Sequence, residues 1–261
     1  MDRSNIEKIA KTPEDKVLLA KVWDKITAGM RKNIPVNTCF LSPRELEMTK
    51  YLFGTVDGLF PFGGYDEAER QMLVYMPDYL DHAYLYGEDA PLLCLRATFF
   101  EKDTPSHRDF LGALMGAGIA RETVGDICVG IGSCDFFLTA EITPYVLQNF
   151  TGAGRTKFQL SQICLQDFQP PVQNTVTIKD TVASLRLDSV LSSGFRIGRS
   201  AATTYITSGR TAIDGLPCEK PDKAVEEGVK ISVRGLGKMK LHKVNGQTKK
   251  GRISIEIHRY V

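Results

Sequence analysis

Apolar residues recur at helical spacing along residues 12–31, TPEDKVLLAKVWDKITAGMR, at Val17, Leu18, Ala20, Val22, Trp23 and Ile26. Thr12 followed by Pro13 and Glu14 supplies a helix start with proline at the first helical position, and Pro35 follows the end. Ser42-Pro43-Arg44-Glu45 repeats that start before LEMTKYLF. A loop-rich stretch holding Gly54, Gly58, Gly63 and Gly64 then leads to QMLVYM, an apolar run of strand length. Residues 1–85 thus predict a small α/β unit with two helices.

Residues 90–166 follow a clearer order. LLCLRATFF is strand-like, and Ser106-His107-Arg108-Asp109-Phe110 opens a helix through LGALMGAG. DICVG and CDFFLTAE predict two strands joined at Ile131-Gly132-Ser133. ITPYVLQNF predicts a second helix, and TKFQLSQICL a fourth strand. The order β-α-β-β-α-β predicts a ferredoxin-like, RRM-like unit over 86–168. Many RNA-recognition domains share that order, but a fold alone does not give a function. DFQPPVQN, with Pro170-Pro171, predicts a linker.

The periodicity tightens in RLDSVLSSGFRIGRSAATTYITSG, residues 186–209. Leu187, Val190 and Leu191 share one helix face, and Ala202, Tyr205 and Ile206 repeat the spacing. Ser193-Gly194 and Ser208-Gly209 predict two helix ends, each glycine suiting the left-handed position that follows one. Asp214-Gly215 is a tight-turn dipeptide and residues 230–234 predict a strand. Beyond it Lys238, Lys240 and His242 alternate with Met239 and Leu241, so on a strand the three share a face. Residues 180–261 predict two short helices on a small sheet. The whole chain is α+β.

Charge changes this picture more than composition does. Hydrophobic content of 43% and charged content of 25% suit an ordinary soluble protein. The net charge of +2 conceals an asymmetry. Residues 181–261 carry 15 Lys+Arg against 7 Asp+Glu, and the rest carries 18 against 24. A basic tail on an acidic body points to a polyanion partner. No apolar run reaches the ~18 residues of a membrane span, and MDRSNIEKIAKTPEDK lacks the apolar core of a secretory signal. A cytoplasmic location without a membrane partner is expected. Six scattered cysteines form no Cys-x-x-Cys pair, so reduced, buried thiols are expected rather than zinc.

Cations gathered at helix ends, beside unpaired backbone N–H groups, can grip phosphates of a folded RNA. Arg196, Arg199, Arg210 and Arg234 are the first candidates, with Lys238 and Lys240 beyond. Arg186 has two readings, a phosphate ligand or an ion-pair partner of Asp188. Gly63-Gly64 suits a structural turn better than a phosphate cradle, lacking Gly-x-x-x-x-Gly-Lys. His107-Arg108 offers either an RNA contact or an exposed capping segment. His82, His242 and His258 lack metal-ligand spacing, and no metal or cofactor is expected.

The tail resembles the S4 RNA-binding domain. The matching positions are Arg186-Leu187-Asp188, Leu191, Arg199-Ser200, Ala202, Ile206, Gly209, Gly215, Gly228 and Ile231-Ser232-Val233, with Arg196 at a basic position. Ser200 joins the candidate RNA contacts through this motif. Gly198, Ala201, Thr211, Asp214 and Val229 depart from the family pattern, and Ala201 stands where lysine is frequent. FPFGGYDEAERQ, SHRDFLGALMGAGIARETVGDI and CDFFLTAEITPYVLQNF, in that order before an S4 unit, resemble the YlmH family. That resemblance implies a non-enzymatic, monomeric RNA-binding protein. Its partners would be ribosomal RNA, the large subunit and, as a second RNA, tRNA. The implied role is rescue of stalled subunits that carry peptidyl-tRNA. Two other classes stay open: an RNA-modifying enzyme with an S4 targeting module, and a protein-interaction scaffold.

Overall fold

The computed structural model describes residues 3–170, 175–248 and 251–260. The chain divides into two compact units, Met1–Pro171 and Val172–Val261. The later part of the expected linker, residues 171–174, lies outside the described residues.

The first unit opens with α1 (Ile6–Ile9), α2 (Pro13–Lys32), β1 (Val36–Asn37) and α3 (Pro43–Phe53), then β2 (Leu59–Phe62) and β3 (Met72–Tyr75). Thr12 and Ser42 both close capping boxes, with Asp15 and Glu45 as the reciprocal partners. Leu19, Val22 and Ile26 face inward from α2, whereas Val17 is exposed. The three strands form one antiparallel sheet in the order β1-β3-β2.

Next come β4 (Leu92–Thr98), α4 (His107–Gly116), β5 (Val124–Val129), β6 (Ser133–Thr139), α5 (Thr143–Asn149), β7 (Gly152–Ala153), β8 (Thr156–Lys157) and β9 (Gln159–Ile163). The sheet order β5-β6-β4-β9 is the ferredoxin-like one, with β7 and β8 added as a small ribbon. One sheet face sends Leu95, Ala97, Phe136 and Leu138 against Phe110, Leu114 and Val146 of the helices. The opposite face sends Leu92, Cys94 and Phe137 against Phe40, Phe62, Met72 and Phe168. A sheet apolar on both faces must be covered on both. This is why residues expected as separate units over 1–85 and 86–168 share one compact unit. Arg70 stitches them, donating from Nε to the Val124 carbonyl at 2.9 Å and from Nη2 to the Phe40 carbonyl at 3.0 Å.

The second unit comprises β10 (Thr175–Val182), α6 (Leu187–Phe195), α7 (Arg199–Thr207), β11 (Thr211–Ile213), β12 (Leu216–Pro217), β13 (Lys230–Val233), β14 (Gly237–Gln247) and β15 (Ile253–Tyr260). Its antiparallel sheet runs β10-β15-β14-β13-β11-β12. Both helices pack on one face through Leu187, Val190, Leu191, Ala202 and Ile206 against Ile231, Met239, Leu241, Ile255 and Ile257. Gly194 does not terminate α6 as its Ser-Gly pair predicts. It lies inside the helix, where a Cβ would come within 2.2 Å of Met239 Sδ. The left-handed position falls instead on Arg196, at φ 54°. Gly209, at φ 68°, does close α7 as expected.

Candidate nucleic-acid interface

The α6–α7 corner sets the geometry. Asp188, in the first turn of α6, is 4% exposed. Arg186 reaches it through Nε and Nη2 at 3.2 and 3.1 Å, and Arg199 through the same two atoms at 3.2 and 3.0 Å. Burial alone would raise this carboxyl's pKa. The two guanidiniums outweigh burial and hold it below the usual aspartate value. Both readings of Arg186 are therefore compatible, because its side chain pairs with Asp188 and still stays 41% exposed. Arg199 does the same at 57%.

The two helix starts differ. At α6 the backbone N–H groups of Leu187 and Asp188 donate to the Lys223 and Pro221 carbonyls at 2.8 and 3.0 Å. At α7 the N-cap is Gly198, and no side chain caps the first turn. The N–H groups of that turn, with the positive end of the helix dipole, are arranged to receive an anion. Beside them opens a cleft of about 340 Å³ lined by Ser189, Ser192, Ser193, Arg196, Arg199 and Arg252, among others. Arg252 did not stand out in the sequence. It comes from the segment before β15, and its Nε donates to Thr181 Oγ1 at 2.9 Å. Asp180 stands in the same cleft and accepts from Ser193 Oγ at 2.7 Å.

The eight candidates do not form one cluster. Arg186, Arg196, Arg199 and Ser200 belong to the helix corner. Arg210 and Arg234 meet elsewhere, where the Arg234 N–H donates to the Arg210 carbonyl at 2.9 Å and the Arg210 guanidinium lies 5.9 Å from the Tyr205 ring centre. Lys238 and Lys240 flank Met239 on β14, and Met239 is buried under the helices. Strand alternation therefore puts both lysines on the sheet face away from the arginines.

That outer face also carries an arrangement the sequence spacing did not predict. His242, Glu256 and His258 bring ligand-type atoms within 4.8 Å of one another. The imidazoles stack at 3.9 Å with 14° between planes. Their in-plane lone pairs thus lie in two nearly parallel planes, which no single ion can share. Lys179, 3.6 Å from Glu256, adds a like charge to any cation. The trio as arranged does not fit a metal.

Elsewhere, Gly63-Gly64 is a packed turn. Gly64 has φ 92°, and a Cβ there would meet Phe137 at 2.7 Å. Ser106 caps α4 with Asp109, leaving His107 and Arg108 exposed. All six cysteines are free thiols. Cys94 and Cys134 are buried as expected, and burial pushes the Cys128 thiol up to about 11. Cys39 and Cys164 are exposed, against expectation, because each lies outside the sheet strands.

Residues 99–167 match the family model described as "Putative RNA-binding domain in YlmH". A curated relative, "Ribosome-associated protein quality control protein P2" of Bacillus subtilis (strain 168), is 34% identical over 224 residues, which cover 85% of this chain and 86% of the relative. The chain belongs to the YlmH family. A solved structure titled "Cell division protein ylmH from Streptococcus pneumoniae" is 19% identical with a TM-score of 0.50, covering 60% of this chain and 96% of that one. That likeness speaks for the YlmH fold alone. Within the ferredoxin-like part, the face that RRM domains offer to RNA is here largely occupied by Phe40, Phe62, Met72 and Phe168.

Proposed function

We propose that this YlmH-family chain is an RNA-binding factor of the ribosome, acting by binding rather than by catalysis. Its second unit would serve as an S4 module that grips ribosomal RNA. The observation that carries the reading is the α6–α7 corner, where an uncapped helix start meets Arg196, Arg199 and Arg252 around one cleft. The family-model match and the name of the Bacillus subtilis relative support the class of partner. The finer reading is attachment to the large subunit carrying peptidyl-tRNA, in the cytoplasm, during rescue of stalled synthesis. Among the described residues no helix is long and apolar enough to cross a membrane.

Arg196 gives a clean test. It holds a left-handed backbone that costs a non-glycine residue about 1–2 kcal/mol, so Arg196→Gly removes the cation and relieves the backbone. Its stability should stay within about 1 kcal/mol of wild type, since glycine also loosens the unfolded chain. Co-sedimentation with separated ribosomal subunits across a salt series should show weaker large-subunit binding. The salt slope should be shallower by about one counterion. Unchanged binding by a folded Arg196→Gly protein would sink the assignment of this corner.

A further inference from the structure

We infer that the ferredoxin-like part carries a second RNA surface at one end of its sheet, built to stack an unpaired base on Phe100. It extends the RNA-binding reading and rests on it for the class of partner.

Phe100 follows β4 and is 73% exposed, and Ile131 in the β5–β6 turn is 85% exposed. The Phe99 N–H donates to the Gly132 carbonyl at 2.9 Å, which holds these two segments together. Phe99 points into the core, so its neighbour Phe100 is left outside. An exposed aromatic beside an exposed aliphatic has no packing role in the unit. Lys102 Nζ lies 5.5 Å from the centre of the Phe100 ring.

The charges around this end lean basic, although Glu101 and Asp103 flank Lys102 in sequence and Glu101 lies against Gly132. Residues 99–167 contain five Lys+Arg against eight Asp+Glu. Yet four of the five, Lys102, Arg108, Arg155 and Lys157, collect here and are exposed. The register brings Lys157 close. Thr98 pairs with Gln159, and Phe158 stacks on Phe110 at 5.4 Å beside Phe99. The ladder ends at Thr98 and Gln159, and Lys157, two residues before Gln159, belongs to the β7–β8 ribbon at the same end of the sheet as Phe100, two residues after Thr98. Gly154, next to Arg155, comes within 3.4 Å of Asp109 when given a Cβ, which places the β7–β8 turn against the start of α4 and so beside Arg108. Asp109 is already engaged, its carboxylate accepting from Ser106 N–H at 2.8 Å.

An aromatic platform ringed by flexible cations is how single-stranded nucleic acid is held without sequence reading: the base stacks and the phosphates meet the cations. A duplex, whose bases are already stacked, gains nothing from Phe100. With most of the RRM-type face covered, this end offers residues 99–167 an open surface for RNA.

The test uses the full chain with two labelled probes, a single-stranded oligouridylate and a blunt A-form RNA duplex. Phe100→Ala should weaken oligouridylate binding by about fivefold or more and leave duplex binding within about twofold. Phe100→Trp should restore it. Lys102→Ala with Lys157→Ala should flatten the salt dependence for oligouridylate by about one to two counterions. Photocross-linking with 4-thiouridine RNA should map to residues 98–102. The inference fails if folded Phe100→Ala binds oligouridylate like wild type, if it loses both probes equally, or if its loss appears only in a complex with a protein. Arg196→Gly separates the two surfaces. If it leaves both probes unaffected while Phe100→Ala loses oligouridylate, the S4 reading falls and this one stands.

Discussion

Asp188 is the residue on which the α6–α7 corner turns. It is buried, charged and shared by two arginines that remain half-exposed. Its folded pKa lies below the 3.8 of an unperturbed aspartate. The stabilisation is therefore complete above that value and is lost as pH falls through the folded value. Asp188→Asn should lower stability at pH 7 by about 2 kcal/mol, the scale of hydrogen bonds to a charged group. Near pH 3 the gap between variant and wild type should narrow. Urea midpoints at the two pH values decide this, and a gap that does not change with pH would refute the charged-carboxylate account. The same pairing makes Arg199 a poor probe of RNA binding. Its removal takes away a proposed phosphate ligand and one of Asp188's two arginine partners together, whereas the Asp188 pairing does not involve Arg196.

At the scale of elements, local chemistry wrote the helix starts plainly. Thr12, Ser42 and Ser106 each precede a helix and each closes a capping box. The helix ends were harder. Ser193-Gly194 has the composition of a stop signal, but the glycine is there for closeness, because Met239 comes to α6 from a strand more than forty residues later. Nothing local announces that contact. Gly194→Ala should destabilise the second unit by about 1–3 kcal/mol through overpacking. A thermal melt followed by circular dichroism tests this, and a neutral outcome would mean that Met239 can move aside. Lys238 and Lys240 show the reverse limit. Their shared strand face is legible from alternation, but its opposition to the arginine corner depends on which face the helices cover. Arg252 joins the cleft only because β10 pairs with β15, a register that no motif encodes.

For the whole molecule, the ferredoxin-like order was legible from the succession of strand and helix patterns. That one sheet would bury both faces was not, since Phe40 and Met72 are far in sequence from Phe137. The result is two compact units rather than three. Separate cores predict separate cooperative transitions. Calorimetry of the full chain should resolve two, and Asp188→Asn should shift one while leaving the other in place. A single transition shifted as a whole would show that the units unfold together.

Two compact units in one chain also change what affinity means. If each holds RNA, the chain behaves as a bivalent ligand. Once one unit is seated, the other meets its target at an effective concentration fixed by the connecting segment rather than by the amount of protein in solution. Each contact could then be weak and quickly exchanged while the chain as a whole dwells long. A particle presenting only one of the two RNA features would be sampled and released, and retention would report that both are present at once.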